Sequence, residues 1–298
     1  MERTKIDSFH PADLILTGDW HLQEDTPVCR TDNFMQTQWA KVGFISDLQK
    51  KHGCPVIHSG DFYNHWKPSP NLLRETMKHL PDKFFTVYGN HDLPQHNLEL
   101  SYKCGINVLE QAGFLKVLDD CHWNQIPDKP SVVIHVSPKK TVNILVWHVT
   151  AYQEKEVWMD SGAFSGQNIL RRFPKYDLIL TGDNHKPFED ERDGRILINP
   201  GSIFRLSASQ IEHRPRVYLY YADTNTVEPI YLPIEKNVIS RAHIEAKEER
   251  DSRIDAFISQ LDSDWEAATS FEENLEIFKN TNKTRKEVIQ IIYKAIES

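Results

Sequence analysis

The chain has 298 residues, 39% of them apolar, with a mean hydropathy of −0.54, which gives room for one large globular domain plus a smaller one. Thirty-five Lys and Arg against 43 Asp and Glu leave a formal charge of −8, which weakens a nucleic-acid reading without excluding a local basic groove. The longest apolar runs, such as Ile144 to Trp147, fall far short of the roughly 20 residues a bilayer requires, so no membrane association is expected.

The start of the chain carries Glu2, Arg3, Lys5 and Asp7 with no apolar run behind them, so no secretory signal is read there. Residues 13 to 18 form the first expected strand. Asp32 is the expected N-cap of a helix from Asn33 to Lys51, with Trp39, Val42, Ile45 and Leu48 at helical spacing and Gly53 as its stop. The cysteines at 29, 54, 104 and 121 are far apart and form no C-x-x-C pair. That pattern points to free thiols in a reducing, cytoplasmic compartment. Val56 to Ser59 is the second strand, followed by an aromatic loop from Phe62 to Trp66. Ser69 and Pro70 open the next helix, through Leu80, and Phe84 to Val87 is the third strand. A helix is expected from about Leu98 to Ala112, and a strand pair at Ser131 to Val136 and Val142 to Trp147. A loop carrying Trp158 and Phe164 follows, then a short helix capped by Ser165. Another strand ends at Asp183. Arg195 to Ile198, Arg216 to Tyr221 and Glu228 to Leu232 read as sheet-edge strands. Strands alternate with helices early and stand alone later. The fold class is therefore α/β, a mixed two-sheet β-sandwich flanked by helices. Residues 1–233 would form the catalytic domain. Residues 234–298, charged and with helical spacing at Ile254, Phe257 and Leu261 and at Val288, Ile291, Ile292 and Ala295, would form a small helical C-terminal appendage.

Five apolar strands each end in polar groups of one kind. They are Gly18-Asp19-Trp20-His21, Gly60-Asp61, Gly89-Asn90-His91-Asp92, Trp147-His148 and Gly182-Asp183-Asn184-His185. In layered α/β folds the carboxyl ends of strands converge on one crevice. Asp, His and Asn converging there predict a site for more than one metal ion. Asp19 and His21 lie two apart, a spacing that Asp183 and His185 repeat, and side chains two apart in extended backbone share a side. Alone, each pair reads equally as a strand-end turn, and His148 alone as a core histidine.

In order and type these motifs resemble the calcineurin-like metallophosphoesterases over about residues 12 to 221. The finer likeness is to SbcD-type DNA repair nucleases, including small phage-type members. It rests on Gly60-Asp61-Phe62-Tyr63, Pro68-Ser69-Pro70, Asn199-Pro200-Gly201-Ser202 and Ser270-Phe271-Glu272-Glu273-Asn274-Leu275. The resemblance implies that Asp19, His21, Asp61 and His185 hold one metal ion. Asp61, Asn90, His148 and Asp183 would hold the second, with Asp61 shared. His91, oriented by Asp92, would stabilise the transition state or protonate the leaving oxygen. Asn64 or His65 would help place the substrate phosphate. The family usually has Gly-His-x-His where this chain has Gly182-Asp183-Asn184-His185. An added carboxylate favours a hard ion, so the expected cofactor is a pair of Mn2+ ions; Asp183 weakening the second site is the alternative.

The implied function is a manganese-dependent DNA nuclease acting in repair or recombination. The implied partners are DNA, an SbcC-type ATPase docked on the helical tail, and a second copy in a homodimer. The implied location is the cytoplasm, that of the host for a phage-encoded member. The competing readings are a phosphodiesterase or phosphatase for small nucleotides or phosphoproteins, and a non-catalytic scaffold. Lys67, Arg171, Arg172, Lys175, Lys186, Arg205 and Arg214 are the candidates for a basic groove, and the aromatic loops are candidates for base stacking.

Overall fold

A computed structural model describes residues 11–122, 130–138, 140–153, 163–264, 271–282 and 285–296. The charged residues before Pro11, the loop residue Trp158 and Ser270 lie outside the described residues, as do the side chains of Cys121, Phe257, Leu261 and Ala295. The chain divides into two compact units, 1–241 and 242–298. The division falls later than the expected 233/234 because residues 238 to 240 are tied to the first unit. Thr31 N donates to Val238 O at 3.1 Å and Ser240 N to Cys29 O at 2.7 Å.

The first unit is built on two sheets. The larger contains β1 (Leu14–Thr17), β2 (Val56–His58), β3 (Phe84–Tyr88), β4 (Lys116–His122), β12 (Arg216–Tyr221) and β13 (Thr226–Tyr231), in the order β13-β12-β1-β2-β3-β4. The second contains β5 (Val132–Ser137), β6 (Lys140–Trp147), β9 (Leu178–Thr181), β10 (Phe188–Arg192) and β11 (Arg195–Asn199), in the order β10-β11-β9-β6-β5. A two-residue pair, β7 (Ala151–Tyr152) and β8 (Phe164–Ser165), stands apart. The two-sheet sandwich flanked by helices is therefore present as read from the pattern.

Alternation along the strands decides the layering. Leu14, Leu16, Ile57 and Val87 face Ile144, Val146, Leu178, Leu180 and Ile198 between the sheets. Ile15, Val56, Phe84, Val217 and Leu219 face the other way. They pack with Val42 and Ile45 of α1 (Phe34–His52), Leu72 of α2 (Pro70–His79) and Ile106 and Leu109 of α3 (Gly105–Gln111). Leu145, Ile179 and Leu197 cover the outer face of the second sheet together with Ile169 and Leu170 of α4 (Gly166–Arg172). Each such side chain is worth roughly 1.5–3 kcal/mol on burial, so a one-residue slip of any strand would be heavily disfavoured.

Several local readings are corrected. Asn33, not Asp32, caps α1, accepting from Gln36 N at 3.1 Å; Asp32 is engaged by Arg30 and by Thr37 Oγ1 at 2.7 Å. Gly53 ends α1 at φ 69°, as expected of a left-handed stop. Residues 98–103 form a 3-10 turn ahead of α3 instead of one continuous helix. Ser165 makes no capping bond to α4. β11 and β12 are interior strands, whereas β13 and the unforeseen β10 are edges. β10 reads Phe-Glu-Asp-Glu-Arg, and its charges suit an edge better than an apolar run would.

Among the described residues the second unit carries three helices, α5 (Ala242–Asp264), α6 (Phe271–Asn282) and α7 (Lys286–Ile296). Tyr293 of α7 donates its hydroxyl to Glu276 of α6 at 2.9 Å. Among the described residues no helix is long and apolar enough to cross a membrane.

Candidate metal centre

β1, β2 and β3 run parallel in the first sheet, and β6 and β9 run parallel in the second. Their carboxyl ends therefore point the same way within each sheet. β1, β3 and β9 run straight into Gly18, Gly89 and Gly182, β2 reaches Gly60 after Ser59, and β6 delivers His148 with no glycine. Asp19, His21, Asp61 and Asp183 adopt left-handed φ values of 49°, 45°, 56° and 67°. Such backbone costs about 1–3 kcal/mol per non-glycine residue, and in folded proteins it collects at functional sites. Glycine is required beside them. A Cβ on Gly60, at φ 100°, would lie 2.6 Å from His148 Nδ1, and one on Gly182 would lie 2.7 Å from the same atom. These glycines let the two sheets close on His148.

Seven side chains meet there. Asp61 is at the centre, its Oδ2 lying 3.5 Å from His21 Nε2 and 3.4 Å from His148 Nε2. One carboxylate oxygen thus stands between two imidazoles from different sheets. On one side His21 Nε2 is 3.0 Å from His185 Nε2. Asp19 closes that group, with donor atoms of Asp19, His21 and His185 all within 4.8 Å of one another. On the other side His148 Nε2 is 3.0 Å from Asn90 Oδ1 and 3.7 Å from Asp183 Oδ1. Backbone links fasten the set. Asp183 N donates to Asp19 Oδ1 at 2.9 Å, and His91 N donates to Asp61 Oδ1 at 2.9 Å. Thr150 donates its hydroxyl to Asp183 Oδ2.

The donor set fits divalent cations on three observations. Asp19 Oδ2 is buried and has no hydrogen-bond partner among the described residues. Asn90 presents its amide oxygen 3.2 Å from both Asp61 oxygens, an arrangement that repels unless the amide turns over or a cation sits among the three atoms. His148 Nδ1–H donates to Ser59 O at 2.8 Å, which leaves Nε2 directed at the carboxylates. That is the orientation a metal-binding imidazole takes when its second nitrogen is anchored to a carbonyl. Mixed carboxylate, amide and imidazole donors suit hard or borderline divalent ions.

The buried charges of the cluster perturb one another strongly. Burial pushes the Asp19 carboxyl up to about 8, with His148 opposing and Asp61 adding to the effect. Burial pushes His21 down to about 3. Burial would raise Asp61 as well, but the charge and hydrogen bond of His148 outweigh it and hold that carboxyl well below the usual range. Burial would lower His148, but Asp61, Asp183 and Asp19 together outweigh it and draw the ring well above the histidine range.

These shifts set the pH response of the metal-free protein. Folded Asp19 keeps its proton up to about 8 while the unfolded chain releases it near 3.8, so its share of stability is lost as pH rises through that window. Asp92, raised to about 7 chiefly by burial, acts in the same direction. His21 acts oppositely: its share is present above 6.5 and lost as pH falls toward 3. Between 6.5 and 8 Asp19 and Asp92 both lower stability, opposed above 7 by buried Lys41, which burial pushes down to about 7. The melting temperature of EDTA-treated protein is expected to fall from pH 6.5 to pH 8. Added Mn2+ should then raise it by several degrees more at pH 8 than at pH 6. Equal gains at the two pH values would contradict this.

His91 and Asp92 are placed differently from expectation. Asp92 does not orient the His91 ring. Its buried carboxylate accepts backbone N–H groups from Phe62 at 3.2 Å, Tyr63 at 3.0 Å and Gly89 at 2.9 Å. It therefore pins the turn after β3 to the loop after β2. The His91 ring is exposed, and its Nδ1–H donates to the carbonyl of Asn64 at 2.9 Å. Its centroid is 4.8 Å from that of His21, which places it at the mouth of the cluster. Asn64 thus orients His91 through its backbone, while His65 Nδ1 accepts from Lys67 N at 3.2 Å in a local turn. His96 Nδ1–H donates to Asn90 O at 2.8 Å.

Two supports had weak sequence signals. Asn199 Nδ2 donates to Asn184 O at 2.9 Å, and Ser202 N donates to His185 O at 3.2 Å, so the Asn199–Ser202 turn braces the segment carrying His185. Thr150 carried no signal at all. Of the expected groove cations, Arg205 is buried and donates to Glu235 O at 2.7 Å, so it serves the fold. Arg214 lies over the ring of Tyr231. Phe62 and Tyr63 are buried in the core and do not offer a stacking surface.

The calcineurin-like phosphoesterase superfamily domain matches residues 13–221. No curated protein matches the chain by sequence. Among solved structures, a novel archaeal phosphodiesterase is similar at 16% identity and a TM-score of 0.41, over 74% of this chain and 99% of that one. A metallophosphoesterase from Sphaerobacter thermophilus is similar at 14% identity and 0.38, over 74% and 89%. Vacuolar protein sorting 29 from Cryptosporidium parvum is similar at 16% identity and 0.35, over 76% and 100%.

Proposed function

Because the chain belongs to the calcineurin-like phosphoesterase superfamily, we propose that it hydrolyses phosphate diesters with a pair of divalent cations, manganese by preference, and that its substrate is DNA. The observation carrying the hydrolytic reading is the place of Asp61 Oδ2, within 3.5 Å of imidazoles from both sheets. Asp19, His21, Asp61 and His185 would hold one cation, and Asp61, Asn90, His148 and Asp183 the other. When bound, the cations supply Lewis-acid activation of water and neutralise charge on the phosphate. His91 then does the proton work. With Nδ1–H held by the Asn64 carbonyl, its Nε2 can give a proton to the leaving oxygen when the ring is charged. Asp92 keeps the His91 turn against the β2 loop.

The DNA reading rests on the sequence likeness to SbcD-type nucleases, and with it goes an SbcC-type ATPase docked on the helices from Ala242 onward. A small-nucleotide substrate is the second reading. It is favoured by the burial of Arg205 and the stacking of Arg214 on Tyr231, which take two cations away from a duplex groove. A substrate panel decides between them. Labelled duplex and single-stranded DNA, a cyclic nucleotide and a phosphopeptide are incubated with the protein and Mn2+. Cleavage of DNA at a rate above that of the small substrates is expected. Rapid cleavage of the cyclic nucleotide with intact DNA would replace the nuclease reading, and loss of phosphate from the peptide alone would indicate a phosphatase.

A further inference from the structure

A cavity of about 450 Å3 adjoins the metal centre, lined among others by Asp183, His185, Lys186, Ser209, Gln210 and Glu212. That volume falls in the range of sites enclosing one small organic ligand, roughly 300–1,000 Å3. Asp183 and His185 belong to both the cavity and the cation-binding cluster. A phosphate held at the cluster would have room to extend one of its ester arms into the cavity.

The far wall is held rigid. Gln210 Oε1 accepts from Leu206 N at 2.7 Å and from Ser207 N at 3.1 Å. His213 Nε2–H donates to Ser202 O at 2.6 Å, and burial pushes this ring down to about 4, so it is neutral at neutral pH. The other end of the Gln210 amide is not used. Its Nε2 is buried and donates to no atom among the described residues. An unmade hydrogen bond on a buried donor is costly, and an acceptor on a ligand would supply it. Lys186 and Ser209 add donors, and Glu212 adds an acceptor, all three on exposed residues. The exposed lining is mainly apolar with these amide, hydroxyl and charged groups set along it, a mix that matches the flat face of a base together with the oxygens and nitrogens of a nucleoside.

We propose that this cavity receives the nucleoside carried by the scissile phosphate, with the Gln210 side-chain amide donating to it. The enzyme then selects nucleotide esters by the group beside the phosphate. This rests on the hydrolytic reading above, and the test separates the two. Thymidine 5′-(p-nitrophenyl) phosphate and bis(p-nitrophenyl) phosphate are compared with Mn2+ for the unaltered protein and for Gln210→Glu. That change retains an oxygen for the Leu206 and Ser207 N–H groups and replaces the NH2 donor with an acceptor. The unaltered protein is expected to favour the thymidine ester in kcat/KM. Gln210→Glu should lower that preference about fivefold, the order expected for one lost hydrogen bond, and mainly through KM. No preference in the unaltered protein, or one unchanged by the substitution, overturns the nucleoside site and leaves the hydrolytic reading standing. Hydrolysis of neither ester removes that reading itself. Should Gln210→Glu fail to fold, Lys186→Met is read by the same ratio: a lowered preference supports the nucleoside site, and an unchanged one overturns it.

Discussion

Replacing Asp61 with alanine is expected to release both cations and to lower phosphodiester turnover on the order of 10³-fold or more. The carboxylate cannot be spared by either half of the site, because its Oδ2 is shared between His21 and His148 at 3.5 and 3.4 Å. Its loss leaves each half with three donors and one fewer negative charge. It also frees the His91 N–H, which Asp61 Oδ1 accepts at 2.9 Å, so the turn carrying His91 loosens with the metals. Turnover under saturating Mn2+ and metal content per chain check this together. Asp19→Ala is the contrast, since it should empty only the side formed with His21 and His185. Two tightly held ions in the Asp61 variant would refute the shared-ligand assignment.

His91→Ala should behave in the opposite way toward metal. The backbone N–H that bonds Asp61 survives the substitution, and the ring is held by the Asn64 carbonyl at the mouth of the cluster. Metal content should stay near that of the unaltered protein while kcat falls about 10²–10⁴-fold, the range for a positioned proton donor. Asn64→Ala keeps the carbonyl that orients the ring, so any effect of that change reports the Asn64 side chain alone. Full turnover in His91→Ala, or loss of an ion, would remove the proton-donor role.

The layered fold and the strand-end positions of the seven candidate ligands are legible because they rest on short-range rules, while their grouping around two cations is what the family resemblance implies. Alternation placed Leu14 and Leu16 on one face and Ile15 on the other, and Gly-Asp or Gly-Asn pairs marked where strands stop. What could not be read were choices between equal local options settled by distant partners. Asp32 and Asn33 are both good caps, and the pairing of Asp32 with Arg30 and Thr37 left the cap to Asn33. Asp92 follows His91 in the chain, which suggested a pair. Three N–H groups from Phe62, Tyr63 and Gly89 claim its carboxylate instead. Arg205, a candidate groove cation by residue type, is turned inward by the carbonyls of Ile211 and Glu235.

Anomalous diffraction from crystals of the full chain grown with Mn2+ tests the shared centre most directly. Two manganese peaks are predicted, one among Asp19, His21, Asp61 and His185 and the other among Asp61, Asn90, His148 and Asp183. Manganese bound only elsewhere on the chain, or no peak beside Asp61 at saturating metal, would contradict it.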